Sequence, residues 1–415
     1  MRNDPLASSE PESRMPPAPE LPERRWRPWQ VSGAAAVSVL LVIGLVVAGR
    51  PANPAGTSLL ARTTSVPSFY TQFGASNPAS PRTLVIRSTA TGAIVASAPV
   101  PDAPDWLLPV IMVAAAPGAR TFYVAYNAGW ALAASPPRQI WIYRLDVGAH
   151  TLTRIKGGRF RGNQAVGELG NMAVSPDGTR LALTVDAAGQ PSTDTDTGVA
   201  NDIVVIDLRT GARTVWQGDL SRPGKTFRIP SVSWTADGRS IVFLAEWCNP
   251  DLYYNLCSGT MSGPDGYRDT EVRSLLVTGP GASAGGSLNT GSTLLLTQSR
   301  RYPVIETALA GPEPSELYLL VLSGTPGADA TWSQLQVDLV SAASRQLLGV
   351  EYHAATHHSD EGQTQSVMLA SDPGDQHLLL NYRTQQGFAT ARIGRGALHV
   401  LPGAQSYHDS PMTAW

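Results

Sequence analysis

The sequence predicts an all-β chain of about six four-stranded antiparallel blades, a β-propeller, preceded by one transmembrane helix. Three observations carry this. A β-hairpin signature recurs at a regular interval, a strand–turn–strand element follows each copy, and one long uncharged run stands near the N-terminus. Composition agrees. Of 415 residues only 15% are charged, against roughly 25% in an ordinary soluble domain, while Gly (39) and Pro (33) are plentiful. Many turns and few long helices produce that balance. The net charge of −2 gives no global electrostatic case for nucleic acid.

Residues 1–30 are rich in Pro, Glu and Ser, lack apolar periodicity and read as a disordered cytoplasmic tail. The uncharged run Val31–Gly49 follows, close in length to the roughly 20 residues that span the hydrocarbon core. Arg24, Arg25 and Arg27 precede it, which by the positive-inside rule keeps the N-terminus in the cytoplasm. Trp26 and Trp29 suit the interfacial belt. It reads as a signal anchor. A cleaved signal peptide is the alternative, although its apolar region usually has about 7–15 residues. Both place the rest of the chain outside the cytoplasm. Residues 50–66 read as a Pro/Ser-rich stalk, 67–403 as the propeller and 404–415 as a C-terminal tail.

The clearest hairpin is Asn171–Val185, N-M-A-V-S-P-D-G-T-R-L-A-L-T-V. Met172 and Val174 alternate before the turn, and Leu181, Leu183 and Val185 after it, the period of a strand. Pro176 presets the first central position of a type I turn. Asp177 suits the second, and Gly178 can take the left-handed conformation that closes the hairpin with a bulge. The pattern repeats in Ser231–Leu244, where Asp237 takes the place of Asp177, with Val232 and Trp234 before the turn and Ile241 and Phe243 after it. Val113–Tyr126 and Val367–Asn381 are weaker copies that keep a Pro-Gly turn. Ser292–Thr297 and Leu317–Ser323 supply strands without the turn signature.

The outgoing element is plainest in Asp202–Trp216. The same outline appears at Thr83–Ala96, Gln139–Ile155, Gln334–Leu348 and Phe388–Leu401, and less clearly at Glu271–Val277. Only Ser68–Phe73 precedes Thr83 as a strand, so a strand from the C-terminal region is expected to complete the first blade. A four-stranded meander cannot cover both its faces alone, whereas blades stacked around an axis cover each other. An array of two-sheet sandwiches is the alternative fold.

The pieces S-P-D-G-T-R-L-A-L and D-L-R-T-G resemble the WD40-like repeats of TolB-type propellers, which also occur in the propellers of prolyl-oligopeptidase-family enzymes. Arg far outnumbers Lys and Ala is abundant, an association with GC-rich genomes of the actinobacterial kind. The resemblance implies a fold rather than a reaction, since such propellers serve as binding platforms and as enzymes.

Chemistry-bearing residues are few. Cys248 and Cys257 are the only cysteines, and outside the cytoplasm they are expected to form a structural disulfide. The loop between them carries Tyr253 and Tyr254, with Trp247 just before it. These aromatics suit contact with a partner, or packing onto the next blade. Asp194, Asp196 and Asp202 lack an EF-hand spacing. His353, His357, His358, Asp360 and Glu361 lie in a polar stretch without H-E-x-x-H. Neither a dinucleotide fingerprint nor a P-loop occurs. No metal ligand, cofactor-binding or catalytic residue is therefore assigned. The expectation is a non-catalytic, membrane-anchored propeller that binds an envelope protein or ligand. The rival is a propeller enzyme of hydrolase or lyase type, with a metal or polar cluster at the channel mouth.

Overall fold

The computed structural model describes residues 66–74, 83–99, 111–128, 139–161, 171–185, 201–220, 222–248, 268–299, 302, 304–323, 334–355, 368–372, 377–384, 387–394, 396–406 and 412–415. They form six antiparallel blades within the unit Gly56–Trp415. Blade I comprises β1 (Phe69–Gly74), β2 (Thr83–Ser88) and β3 (Ile94–Pro99). Blade II comprises β4 (Ile111–Ala115), β5 (Thr121–Ala128), β6 (Gln139–Asp146) and β7 (Thr153–Arg161). Blade III follows with β8 (Met172–Val174), β9 (Arg180–Val185), β10 (Asp202–Asp207) and β11 (Arg213–Gln217). Blade IV begins with β12 (Thr226–Trp234), β13 (Ser240–Cys248) and β14 (Arg268–Leu276). After a detour through β15 (Gly286–Ser287) and the one-turn helix α1 (Leu288–Gly291), it ends with β16 (Ser292–Thr297). Blade V holds β17 (Val304–Ala310), β18 (Glu316–Ser323), β19 (Gln334–Ser341) and β20 (Leu347–Ala355). Blade VI holds β21 (Met368–Ser371), β22 (Leu378–Thr384), β23 (Gly387–Gly394) and β24 (Ala397–Ser406).

The ring closes as the strand count expects. β25 (Met412–Ala414) pairs antiparallel with β1, Thr71 opposite Ala414 and Phe73 opposite Met412, and becomes the inner strand of blade I. The stretch 404–415, read from the sequence as a tail, therefore contains the end of β24 and the closing strand. The inner strands β25, β4, β8, β12, β17 and β21 neighbour one another in turn around the axis. Side chains stitch them together. Ser231 Oγ donates to the Ala308 carbonyl (3.2 Å), the Ala310 N–H donates to Ser233 Oγ (2.6 Å), and Trp234 Nε1 donates to the Ala173 carbonyl (3.1 Å).

Each blade buries both faces, so alternate residues of one strand enter two different cores. On β9, Leu181, Leu183 and Val185 pack toward blade II, while Ala182 packs toward blade IV. Six apolar clusters result, one for each junction between neighbouring blades. The junction of blades III and IV holds Trp216, Phe227, Trp234, Phe243 and Trp247; the closing junction of VI and I holds Tyr70, Leu379, Leu401 and Trp415. Fully burying one large apolar side chain contributes about 1.5–3 kcal/mol, so each of these aromatics is a large single contribution to the ring's stability.

Residues 277–291 were not anticipated. In place of a tight turn, they cross from blade IV to blade III, where β15 adds to the outer edge of β11 in parallel, as a fifth strand. Trp216 Nε1 donates to Ser283 Oγ (2.9 Å), Leu288 is buried in the shared core, and the Asn289 N–H donates to Asp219 Oδ1 (2.8 Å). Among the described residues, no helix is long and apolar enough to cross a membrane. The run Val31–Gly49 lies outside them.

Candidate functional site

Antiparallel meanders sort their connections by face. Within each blade, the turns joining first to second and third to fourth strands emerge at one face. The second-to-third connections and the crossings to the next blade emerge at the other. The first face is closed mostly by short links: 116–120, 175–179, 208–212, 235–239, 311–315 and 342–346. The second carries 100–110, 129–138, 186–201, 249–267, 324–333 and 356–367, all of them longer, with 385–386 in blade VI as a two-residue exception. This long-connection face is the candidate site.

The tight-turn face is held by local bonds. In blade III the Gly178 N–H donates to the Ser175 carbonyl (2.8 Å), and Gly178 sits at φ +70°, the left-handed position its turn type requires. Asp177 Oδ1 accepts from the Ser175 hydroxyl (2.5 Å) and from the N–H and hydroxyl of Thr179 (3.0 and 2.8 Å). Partial burial pushes the Asp177 carboxyl up. Those hydrogen bonds and Arg180 outweigh it and hold the group at about 2. Blade IV repeats the device at Thr235, Asp237 and Gly238.

On the opposite face, the longest connection, 249–267, is rooted in a braced cluster on blade IV. Trp247 is only 2% exposed. Its Nε1 donates to the Leu220 carbonyl (2.5 Å), Phe227 lies 5.5 Å away ring to ring, and the Arg222 guanidinium stacks 3.7 Å above the indole centroid. Arg222 then forks to Asp269 Oδ2 (2.9 Å) and Glu271 Oε1 (2.6 Å), Lys225 reaches Asp269 (2.6 Å), and Arg273 reaches Glu271 (2.7 Å). Asp269, Glu271 and Arg273 share one side of β14 because they are two residues apart. Burial raises the Asp269 carboxyl, but Lys225 and Arg222 outweigh it and hold it below the usual range. A carboxylate held ionised in this way is a brace; a general acid or base near neutrality needs the opposite shift. On the blade's other side Arg228 Nε meets Glu246 Oε2 at 2.7 Å in a buried ion pair.

The residues singled out from the sequence fall as follows. Trp247, read as either a partner contact or packing onto a neighbouring blade, packs inward: Ile241, Phe243, Ala245 and Trp247 alternate toward blade III, and the period of two carries the indole into that core. Cys248 closes β13, paired in register with Thr226 and Arg268. Tyr253, Tyr254 and Cys257 lie outside the described residues, and no disulfide is seen among those described. Asp202 is buried on β10 and accepts from the Gly218 N–H (2.7 Å). His353 sits on the outer strand β20. Asp194, Asp196, His357, His358, Asp360 and Glu361 lie outside the described residues. No group of three His, Cys, Asp or Glu side chains gathers to hold a metal among those described. Burial pushes the Glu351 carboxyl up, but Glu351 sits at a bulge of β20, at the rim of the ring and away from its axis. Sequence reading missed the charge cluster. Its signal was the alternation Asp269-x-Glu271-x-Arg273.

No known family model matches the chain, and no curated protein matches it. Solved structures do. A TolB protein from Agrobacterium tumefaciens is 11% identical, with a TM-score of 0.40, covering 81% of this chain and 89% of that one. A prolyl endopeptidase is 14% identical, with a TM-score of 0.42 and coverages of 88% and 48%. Hydrazine synthase from Kuenenia stuttgartiensis is 14% identical, with a TM-score of 0.35 and coverages of 62% and 58%. The chain thus spans about half the length of the two enzyme chains. The protein is a six-bladed β-propeller with four-stranded antiparallel blades and TolB-like structural neighbours.

Proposed function

We propose that the protein is a non-catalytic binding platform of the cell envelope, anchored by residues 31–49 with the propeller outside the cytoplasm. The long-connection face takes up a protein or ligand. The supporting observation is the division of the ring into two faces, one closed by tight, hydrogen-bonded turns and one carrying long connections such as 186–201 and 249–267. Loops on a rigid scaffold are where binding residues concentrate. The longest, 249–267, carries Tyr253 and Tyr254 and springs from an edge braced at Trp247 and Arg222. At its root, Cys248 at the end of β13 forms a disulfide with Cys257 that limits the loop's freedom; a loop of this size gains about 2–3 kcal/mol on a chain-entropy estimate.

The test is to replace residues 250–256 of the full-length protein with a Gly/Ser linker of equal length and compare cross-linked envelope partners with those of the unaltered chain. Loss of a partner with an unchanged melting midpoint supports the platform reading. An identical partner set removes this loop from it. Non-reducing peptide mapping should find Cys248 joined to Cys257; two alkylated thiols would contradict the disulfide.

A further inference from the structure

The chain as a whole carries −2, yet the outer strand of blade II reads T-R-I-K-G-G-R-F-R, with Arg154, Lys156, Arg159 and Arg161 and no acid. In a regular strand Arg154 and Arg159, at an odd separation, would point to opposite faces. They do not. The register jumps, Tyr143 opposing Arg154 and Trp141 opposing Arg159, so residues 155–158 bulge out of the ladder. The bulge is made possible by Gly157 at φ +71°, where a Cβ would collide with the Gly211 carbonyl oxygen of blade III. Both guanidiniums therefore arrive at the same indole. Arg154 lies 4.0 Å and Arg159 4.9 Å from the Trp141 centroid, and Arg154 also donates through Nε to the Tyr143 hydroxyl (3.3 Å). On the strand's other side Arg213 lies 4.2 Å over Phe160 and donates to the Arg159 carbonyl (2.5 Å).

Arg154, Lys156 and Arg159 are exposed, and Arg154 forms no ion pair among the described residues. Trp141 and Tyr143 face the core shared with blade I, whose strands β1, β2, β3 and β25 contain no carboxylate. Charges on an outer strand also guard against edge-to-edge pairing. That role asks only for side chains pointing outward. It does not ask for a bulge that lays two guanidiniums on one ring. A stacked guanidinium is pre-oriented, with its donors in a plane suited to a two-pronged grip on an oxyanion.

We propose that the outer strand of blade II binds phosphate-bearing polyanions, with Arg154 and Arg159, set on Trp141, as paired oxyanion ligands and Lys156 adding charge. The site is separate from the long-connection loops and does not depend on the platform reading. Two sources present this chemistry, a soluble polyphosphate and an anionic lipid headgroup. Titration calorimetry on the full-length protein in neutral detergent, with tripolyphosphate in one arm and monomeric dihexanoyl-phosphatidylglycerol in the other, separates them. Binding in either arm is expected to weaken at least tenfold in R154Q/R159Q and about two- to threefold in Lys156→Gln, and to stay unchanged in Arg239→Gln on blade IV. The dependence on salt should become shallower by about one unit of logarithmic slope per cation removed. If R154Q/R159Q lowers the melting midpoint, R154K/R159K keeps the charge without the fork and should still weaken binding severalfold. Absence of binding in both arms, or variants that bind as the unaltered chain does, would overturn the proposal.

Discussion

The two faces of the ring are made of the same strands and differ in how their ends are joined. On one, Ser175–Thr179 and Thr235–Arg239 turn the chain with bonds made inside the turn itself, and glycines supply the left-handed step. On the other, connections such as 249–267 leave from a root held by distant partners, Arg222 on Trp247 and Asp269 between Arg222 and Lys225. The difference teaches a division of labour. Local turn chemistry sets the blade, and longer-range packing frees the opposite ends to carry long segments. The crossing 277–291 is the exception that sharpens it: where the tight-turn face carries a long link, that link is packed down onto blade III.

The division can be broken from the scaffold side. The largest effect should come from Trp415→Ala at the closing junction, beside Tyr70 and Leu401. Removing a fully buried Trp costs about 3–5 kcal/mol, read as a fall in the denaturation midpoint. Gly92→Ala should follow. Gly92 sits at φ +71°, and a Cβ there would meet the Pro402 carbonyl oxygen at 2.5 Å, so a loss of about 2–3 kcal/mol is expected. Arg222→Ala should cost about 1–3 kcal/mol, because it removes the stack on Trp247 and leaves Glu271 with only Arg273 of its two basic partners.

Asp177→Asn is the smallest scaffold change, about 1 kcal/mol as the loss of a turn cap. Its effect should depend on pH. The folded carboxyl is held at about 2, below its ordinary value near 3.8, so its contribution is complete above about 4 and disappears as pH falls through about 2. The gap between the two proteins' melting midpoints should therefore be full at pH 5 and narrow at pH 2. A constant gap would assign the effect to something other than ionisation. From the loop side, the platform reading expects Tyr253→Ser to change stability by no more than about 0.5 kcal/mol.

How much of this was legible follows from the same contrast. The hairpins β8–β9 and β12–β13 could be read because S-P-D-G and T-A-D-G encode their turns locally. The inner strand β17 could not, since Val304–Ala310 ends in Gly311 and Pro312 without that signature. β25 and β15 are too short to offer a period to detect, and β15 pairs in parallel. The alternation on β13 points Trp247 inward, while its place beside a cysteine loop left partner contact and packing equally open in the sequence. The stacking of Arg154 and Arg159 on one indole depends on a register jump, and spacing alone predicts the opposite.

The most direct measurement places a photo-crosslinking amino acid at Tyr253 and Tyr254 on the long-connection face and at the exposed Arg209 on the tight-turn face of the full-length protein in its own cells. The expected result is adducts with envelope molecules from the first two positions and none from Arg209. Equal adducts from both faces, or adducts from Arg209 alone, would contradict the division of scaffold and binding surface.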